Sequence, residues 1–185
     1  MWWFFLTWLP DFFKQTRHLD IKSSGYMLAT IYGTAAVLSI FGSWVTGTLV
    51  KSGWSVTRAR KTGMAIFALG VVPIIFVKDV GNWPAVLLIA LACSAHQAWS
   101  ANLFTTASDM FPKRAVASVV GIGSMAGSVV GMLFPVMAGR LLDAFADKSA
   151  GYAVLFGICA GAYVVAFIIQ HLLAPRFEPF ALRKG

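Results

Sequence analysis

The sequence is short of charge, and shortest of acid. Of 185 residues only 7 are Asp or Glu, and charged residues of both signs make up 12%. A soluble domain averages about 25%. No acid falls in the middle of a long apolar run: Asp11, Asp79, Asp109 and Asp143 all stand at run ends. Paired carboxylates for acid–base chemistry are therefore missing. So are a nucleophile elbow, a Walker loop and any His/Cys spacing suited to a metal. No cofactor and no enzyme activity are expected. Cysteine is scarce as well. Cys93 and Cys159 both lie within apolar runs, which argues for packing and against a disulfide framework.

Apolar residues fill the space, at 58% with a mean hydropathy of +0.75. Runs free of Asp, Glu, Lys and Arg cover 23–50, 62–77, 80–108, 115–139 and 149–175. At ~1.5 Å per residue, about 20 helical residues cross a ~30 Å hydrocarbon core. Four of the runs exceed that length. The run 62–77 suffices if Lys61 and Lys78 extend their ammonium groups to the two interfaces. A sixth apolar segment, MWWFFLTWLPDFFK, opens the chain with ten residues before Asp11. It lacks the basic region and small-residue cleavage site of a signal peptide. It is expected to be a transmembrane helix whose beginning lies outside this sequence. The expected fold is therefore all-α. It is a polytopic membrane bundle with six transmembrane helices near 1–14, 24–50, 62–78, 83–108, 115–142 and 151–173, followed by a tail at 174–185.

The formal net charge of +8 is spread over short connections, which argues against nucleic acid as a partner and for the lipid bilayer. One side of the bundle collects Lys51, Arg58, Arg60, Lys61, Lys113, Arg114, Arg176, Arg183 and Lys184 against Asp109 and Glu178. The other side has Lys14, Arg17, Lys22, Lys78, Arg140 and Lys148 nearly balanced by Asp11, Asp20, Asp79, Asp143 and Asp147. The positive-inside rule places the first side, and both chain ends, in the cytoplasm.

One polar cluster interrupts the fourth run. His96, Gln97, Trp99, Ser100 and Asn102 fall within seven residues, close to its midpoint. Polar groups at that depth are costly and face the bundle interior or a water-filled cavity. Amides, hydroxyls and an indole suit a small hydroxylated solute. The alternative is hydrogen bonding between helices, at ~0.6 kcal/mol per pair. In the fifth run, Ser124 and Ser128 stand one turn apart beside Gly123, Gly127 and Gly131. The serines can meet a solute or bond back to their own helix, and the glycines allow close helix approach. Tyr32 and Trp3 are further candidates, whereas Trp2, Trp54 and Trp83 at run ends suit interface anchoring. Among Asp, Glu, His, Lys and Arg, His96 is the one residue near the middle of a span, and so the one candidate proton carrier.

Three segments carry a family resemblance: WWFFLTWLPDFF, GSWVTGTLVKSGWSVTRARK and SAHQAWSANLFTTASDMFPKRAVASVVGIGSMAG. The chain resembles helices seven to twelve of a major facilitator superfamily transporter. Within that superfamily it is similar to the anion:cation symporter family, in its hexuronate branch. The resemblance implies a bacterial inner-membrane carrier with inverted three-helix repeats, here 1–78 and 79–173. It also implies an organic-anion substrate, a proton or other cation as coupling ion, and a missing N-terminal six-helix half. That half would hold the coupling acids and the arginine for the substrate carboxylate. The matching substrate positions are Gln97, Trp99, Ser100, Asn102, Ser124 and Ser128. Gly42, Arg58, Arg60 and Lys61 match a cytoplasmic loop motif, but Gly47 stands where the superfamily has an Asp, which puts a charge-relay gate in doubt. Two readings remain beside hexuronate uptake: carriage of another organic anion (an aldonate, a dicarboxylate or phthalate) and a structural membrane subunit that transports nothing.

Overall fold

A computed structural model describes residues 1–179, and these form six α-helices with a 3-10 extension on the third. Arg183 and Lys184 lie outside the described residues. Helix α1 runs Trp2–Arg17 and stops at His18, whose left-handed φ of 53° turns the chain. Helix α2 runs Ile21–Lys51, and its start is capped by Asp20, which accepts a hydrogen bond from the Ser23 amide at 2.8 Å. Helix α4 spans Asn82–Met110, α5 spans Lys113–Ala144 directly after Pro112, and α6 spans Lys148–Leu173 behind an Asp147 cap.

The third span differs from expectation. It is longer, because α3 already begins at Val56 behind a Ser55 cap and passes at Val72–Asp79 into a 3-10 helix with Pro73 near its start. Pro73 has no N–H to give to the turn before it, and regular α-helix gives way to the 3-10 extension at that point. At ~2.0 Å per residue the 3-10 segment also reaches further than α-helix of equal length. Among the described residues five helical spans are long and apolar enough to cross a membrane, Val56–Asp79 among them. Helix α1, at 16 residues, falls short of that length.

Helix α4 is the centre of the bundle and packs against α1, α2, α3, α5 and the 3-10 segment. Small residues allow the close approach. A Cβ on Gly42 of α2 would overlap Ala98 of α4, and one on Gly63 of α3 would overlap Thr46 of α2. Both cysteines are buried in this core, as expected of packing residues. Phe4 and Phe12 of α1 pack edge-on against Tyr152 and Phe156 of α6, beside the equally buried Phe5 and Phe13. Tyr152 Oη donates to Asp11 Oδ2 at 2.6 Å. Arg17 donates to the carbonyls of Val77 and Val80, giving a cation to the C-terminus of the 3-10 segment. Helix α5 is the loose member: of its 32 residues only Gly131, Ala138 and Leu142 are buried.

Candidate functional site

A cavity of about 660 Å³ opens between the first turn of α1, the second half of α4 and the first half of α5. That volume lies within the ~300–1,000 Å³ typical of small-molecule sites. By chain connectivity it occupies the half of the bundle toward the basic connections. His96, Thr106, Ser124 and Ser128 supply its polar side chains, Trp2 and Trp3 its indoles, and no Asp, Glu, Lys or Arg lines it. Two glycines make the room, since a Cβ on Gly123 or Gly127 would meet nothing within 4 Å. The expected GxxxG helix contact therefore fails at those two positions. It holds only at Gly131, where the Trp3 indole covers the bare backbone. Beyond Trp3 a second seam joins α1 to α5. Trp8 lies 3.2 Å from the site of a Cβ on Gly139, and its Nε1 donates to the Pro135 carbonyl at 3.2 Å.

The hydroxyls differ in what they can offer. Ser128 Oγ donates to the Ser124 carbonyl at 2.9 Å, which leaves its lone pairs as acceptors. Thr106 is committed in the same way to Leu103 at 2.6 Å. Ser124 Oγ has no partner among the described residues.

The polar cluster of α4 does not form one wall. His96 reaches the main cavity, whereas Gln97 and Ser100 line a second, about 510 Å³ in volume, with Ser39, Ile40, Ala101 and Phe104. Trp99 packs edge-on against Tyr163 and Phe167 of α6. Asn102 is 1% exposed, donates to the Ala98 carbonyl at 2.8 Å and accepts from Arg60 Nη1 at 3.3 Å. Trp99 and Asn102 line neither of these cavities. The cause is geometric: a helix turns about 100° per residue, and α4 has neighbours all round, so adjacent polar residues point at different helices. Tyr32 also stays outside both cavities, donating to the Phe5 carbonyl at 3.0 Å and meeting Trp2 edge-on.

The basic motif is not a loop. Gly42 lies inside α2, and Arg58, Arg60 and Lys61 lie in the first two turns of α3, so only 52–55 link the helices. Charge made this stretch look solvated, but two of its cations are taken up by neighbours. Arg60 Nε pairs with Asp109 Oδ2 at 2.9 Å, and Arg60 Nη1 also reaches Thr46 Oγ1 at 3.3 Å. A charge pair thus stands at this end of the bundle despite Gly47. Lys61 donates to the Pro175 carbonyl at 2.8 Å, approaches His171 Nδ1 at 3.2 Å and lies over the Phe177 ring. Arg58 stacks on Trp54 at 4.2 Å.

Sequence reasoning missed Trp2, Tyr163 and Phe177. Trp2 was assigned to interface anchoring, yet it stacks on His96 with ring centroids 5.6 Å apart and planes within 13°. Tyr163 hydrogen-bonds His96 Nδ1 from 67 residues away. No local pattern joins that pair.

Long apolar helices packed round a cavity that carries a few polar side chains define a multi-pass helical membrane protein. Residues 1–135 match the Major Facilitator Superfamily. The chain belongs to that family, one of transporters rather than enzymes. Among curated proteins it is 27% identical to the chloroplastic ascorbate transporter of Arabidopsis thaliana over 173 residues, 91% of this chain and 30% of that protein. It is 28% identical, over 91% of its length, to the chloroplastic sodium-dependent phosphate transport protein 1 of Arabidopsis thaliana, covering 32% of it. It is 27% identical to the D-galactonate transporter of Escherichia coli over 77% of this chain and 33% of that protein. The chain therefore spans about a third of the length of these relatives.

Proposed function

We propose that this chain is the C-terminal six-helix half of a sugar-acid carrier. It would work by alternating access in a bacterial inner membrane, with a hexuronate or aldonate as substrate and a proton as coupling ion. The observation that carries the proposal is the main cavity, which offers His96, Ser124 and Ser128 to a solute but no Asp, Glu, Lys or Arg side chain among the described residues. Such a wall suits sugar hydroxyls, and Trp2 and Trp3 supply apolar faces for a carbon skeleton. The carboxylate partner and the proton-carrying acid are assigned to the missing N-terminal half. The nine-to-two excess of basic over acidic residues on one side supports a cytoplasmic position for both ends. The cavity lies in that half, so the conformation is inward-facing, with the Trp3–Gly131 and Trp8–Pro135 contacts closing the far side.

A second reading has support in the relatives named for ascorbate and phosphate: a carrier for another organic or inorganic anion on the same fold. Uptake of labelled D-galactonate, D-glucuronate, ascorbate and phosphate separates the two, measured in cells expressing the full reading frame. Uptake of a sugar acid that a protonophore abolishes, and that His96→Ala or Ser124→Ala with Ser128→Ala reduces about tenfold or more, supports the proposal. Transport of phosphate or ascorbate alone favours the second reading. Uptake of none of these solutes above background overturns both.

A further inference from the structure

We propose that Tyr163 of α6 is a positioning residue that fixes the tautomer of His96, so that the imidazole presents Nε2–H to the cavity as a hydrogen-bond donor. The inference rests on the cavity being the solute site.

Two observations hold the ring. Its plane lies parallel to Trp2, 5.6 Å away and tilted by 13°, while Tyr163 meets it edge-on at 85°. Tyr163 is itself 9% exposed and is braced by Trp99, edge-on at 5.6 Å and 88°. This gives Trp99 a role although it does not reach the cavity.

The proton assignment follows from counting donors and acceptors. A neutral imidazole carries one N–H and one bare nitrogen. The hydrogen bond joins Tyr163 Oη to His96 Nδ1. If Nδ1–H donated, the buried Tyr163 hydroxyl would keep a proton with no acceptor among the described residues. If Tyr163 donates, that proton is used and Nδ1 is satisfied. The remaining proton then sits on Nε2. No buried side-chain nitrogen or oxygen among the described residues is without a partner, and Nε2 has no hydrogen bond to protein, so Nε2 must face open space. The space that His96 lines is the cavity.

The consequence is selectivity. The cavity then sets a fixed donor at His96 against a fixed acceptor at Ser128, whose own proton is spent on Ser124. A solute must bring an acceptor oxygen to His96 and a hydroxyl donor to Ser128. A polyhydroxy acid has both, whereas a fully ionised anion without hydroxyls lacks the second.

The test uses the full protein, labelled with ¹⁵N-histidine, in lipid bilayers. Nitrogen chemical shifts distinguish Nδ1–H from Nε2–H, and a His96→Gln spectrum assigns the signal. The expected result is a single Nε2–H form in the wild type and a mixture of both tautomers in Tyr163→Phe. Binding of D-galactonate, read by tryptophan fluorescence, should weaken roughly three- to tenfold in that variant. An Nδ1–H form in the wild type overturns the inference even if Tyr163→Phe does not fold, and so does an unchanged tautomer in a folded Tyr163→Phe. An Nε2–H wild type that binds neither D-galactonate nor D-glucuronate overturns the cavity reading alone and leaves the positioning of His96 standing.

Discussion

Arg60, in the second turn of α3, and Asp109, in the last turn of α4, form an ion pair with Nε 2.9 Å from Oδ2, their side chains 12% and 23% exposed. The pair ties α3 to α4 where the two helices pack together. Arg60 also reaches Asn102 and Thr46, so a single guanidinium joins α2, α3 and α4. Its planar fork permits what a lysine ammonium on the same stem cannot.

Removing that fork should destabilise the bundle. Breaking a fully buried pair costs ~3–5 kcal/mol; with this partial exposure Arg60→Ala should cost about 1–3 kcal/mol. Arg60→Lys should keep the charge but lose the bonds to Asn102 and Thr46, falling between wild type and alanine. Denaturant unfolding in micelles, in a double-mutant cycle with Asp109→Asn, measures the coupling. A coupling near zero would show that the pair contributes nothing measurable.

Two glycines of α2 separate packing from mere composition. A Cβ on Gly42 would meet both the side chain and the Cα of Ala98, and that Cα is backbone that cannot rotate away. Gly42→Ala should therefore cost about 1–3 kcal/mol by overpacking. Gly47, five residues on, has nothing within 4 Å of its Cβ position, and Gly47→Ala should not destabilise. Equal melting temperatures for the two variants would contradict the close α2–α4 approach.

The same residues show how much was legible in the sequence. Five uncharged runs and one further apolar segment, MWWFFLTWLPDFFK, marked where the six helices lie, because a membrane-spanning helix must satisfy its backbone internally and keep its surface apolar. Run length failed at the start of α3, where Arg58, Arg60 and Lys61 looked like a loop. It counts charge and cannot see that Asp109 pairs with Arg60 or that the Pro175 carbonyl accepts from Lys61. The polar cluster at 96–102 reads as one wall of a solute cavity, and the structure divides it. Its partition among α3, α6 and two cavities was not legible, since that depends on which helix stands on each side of α4. The contact between Trp2 and His96, like that between Tyr163 and His96, joins segments remote in sequence and leaves no local trace.

The tail gives a third prediction. Phe177 is 5% exposed, its amide donates to Thr57 Oγ1 at 3.0 Å, and Lys61 holds the Pro175 carbonyl. Residues 174–179 thus strap the end of α6 to the start of α3. Phe177→Ala gives up about 1.5–3 kcal/mol of burial, enough to release a short strap but not the bundle. Hydrogen exchange should show the Phe177 amide losing protection while the core of α4 keeps its own. Loss of protection in both would mean that the strap supports the whole fold.

Asp20 supplies a pH dependence. Its side-chain hydrogen bond with Ser23 holds the carboxyl below its ordinary value of 3.8. A carboxyl depressed by folding stabilises the folded state above its unfolded value, and that stabilisation is lost as pH falls through the folded one. The first turn of α2 should therefore fray below about pH 4. Asp20→Asn keeps the cap but has no titration, so its Ser23 amide should exchange with no such step. A step of equal size in both proteins would remove Asp20 as its cause.

The cavity can be filled without touching its polar groups. Gly127 lines it and has nothing within 4 Å of its Cβ position, so Gly127→Leu should fold normally and project an isobutyl group into the space. Gly121, on the same helix, is equally open but is not a lining residue, which makes Gly121→Leu the matched control. If the cavity holds the solute, Gly127→Leu should abolish uptake at wild-type expression and melting temperature, and Gly121→Leu should leave it near normal. Equal activity in both would place the solute elsewhere, because about 660 Å³ cannot take in a branched side chain and still offer a six-carbon acid the same fit. Loss of activity in both would instead point to the surface of α5, which is largely bare here.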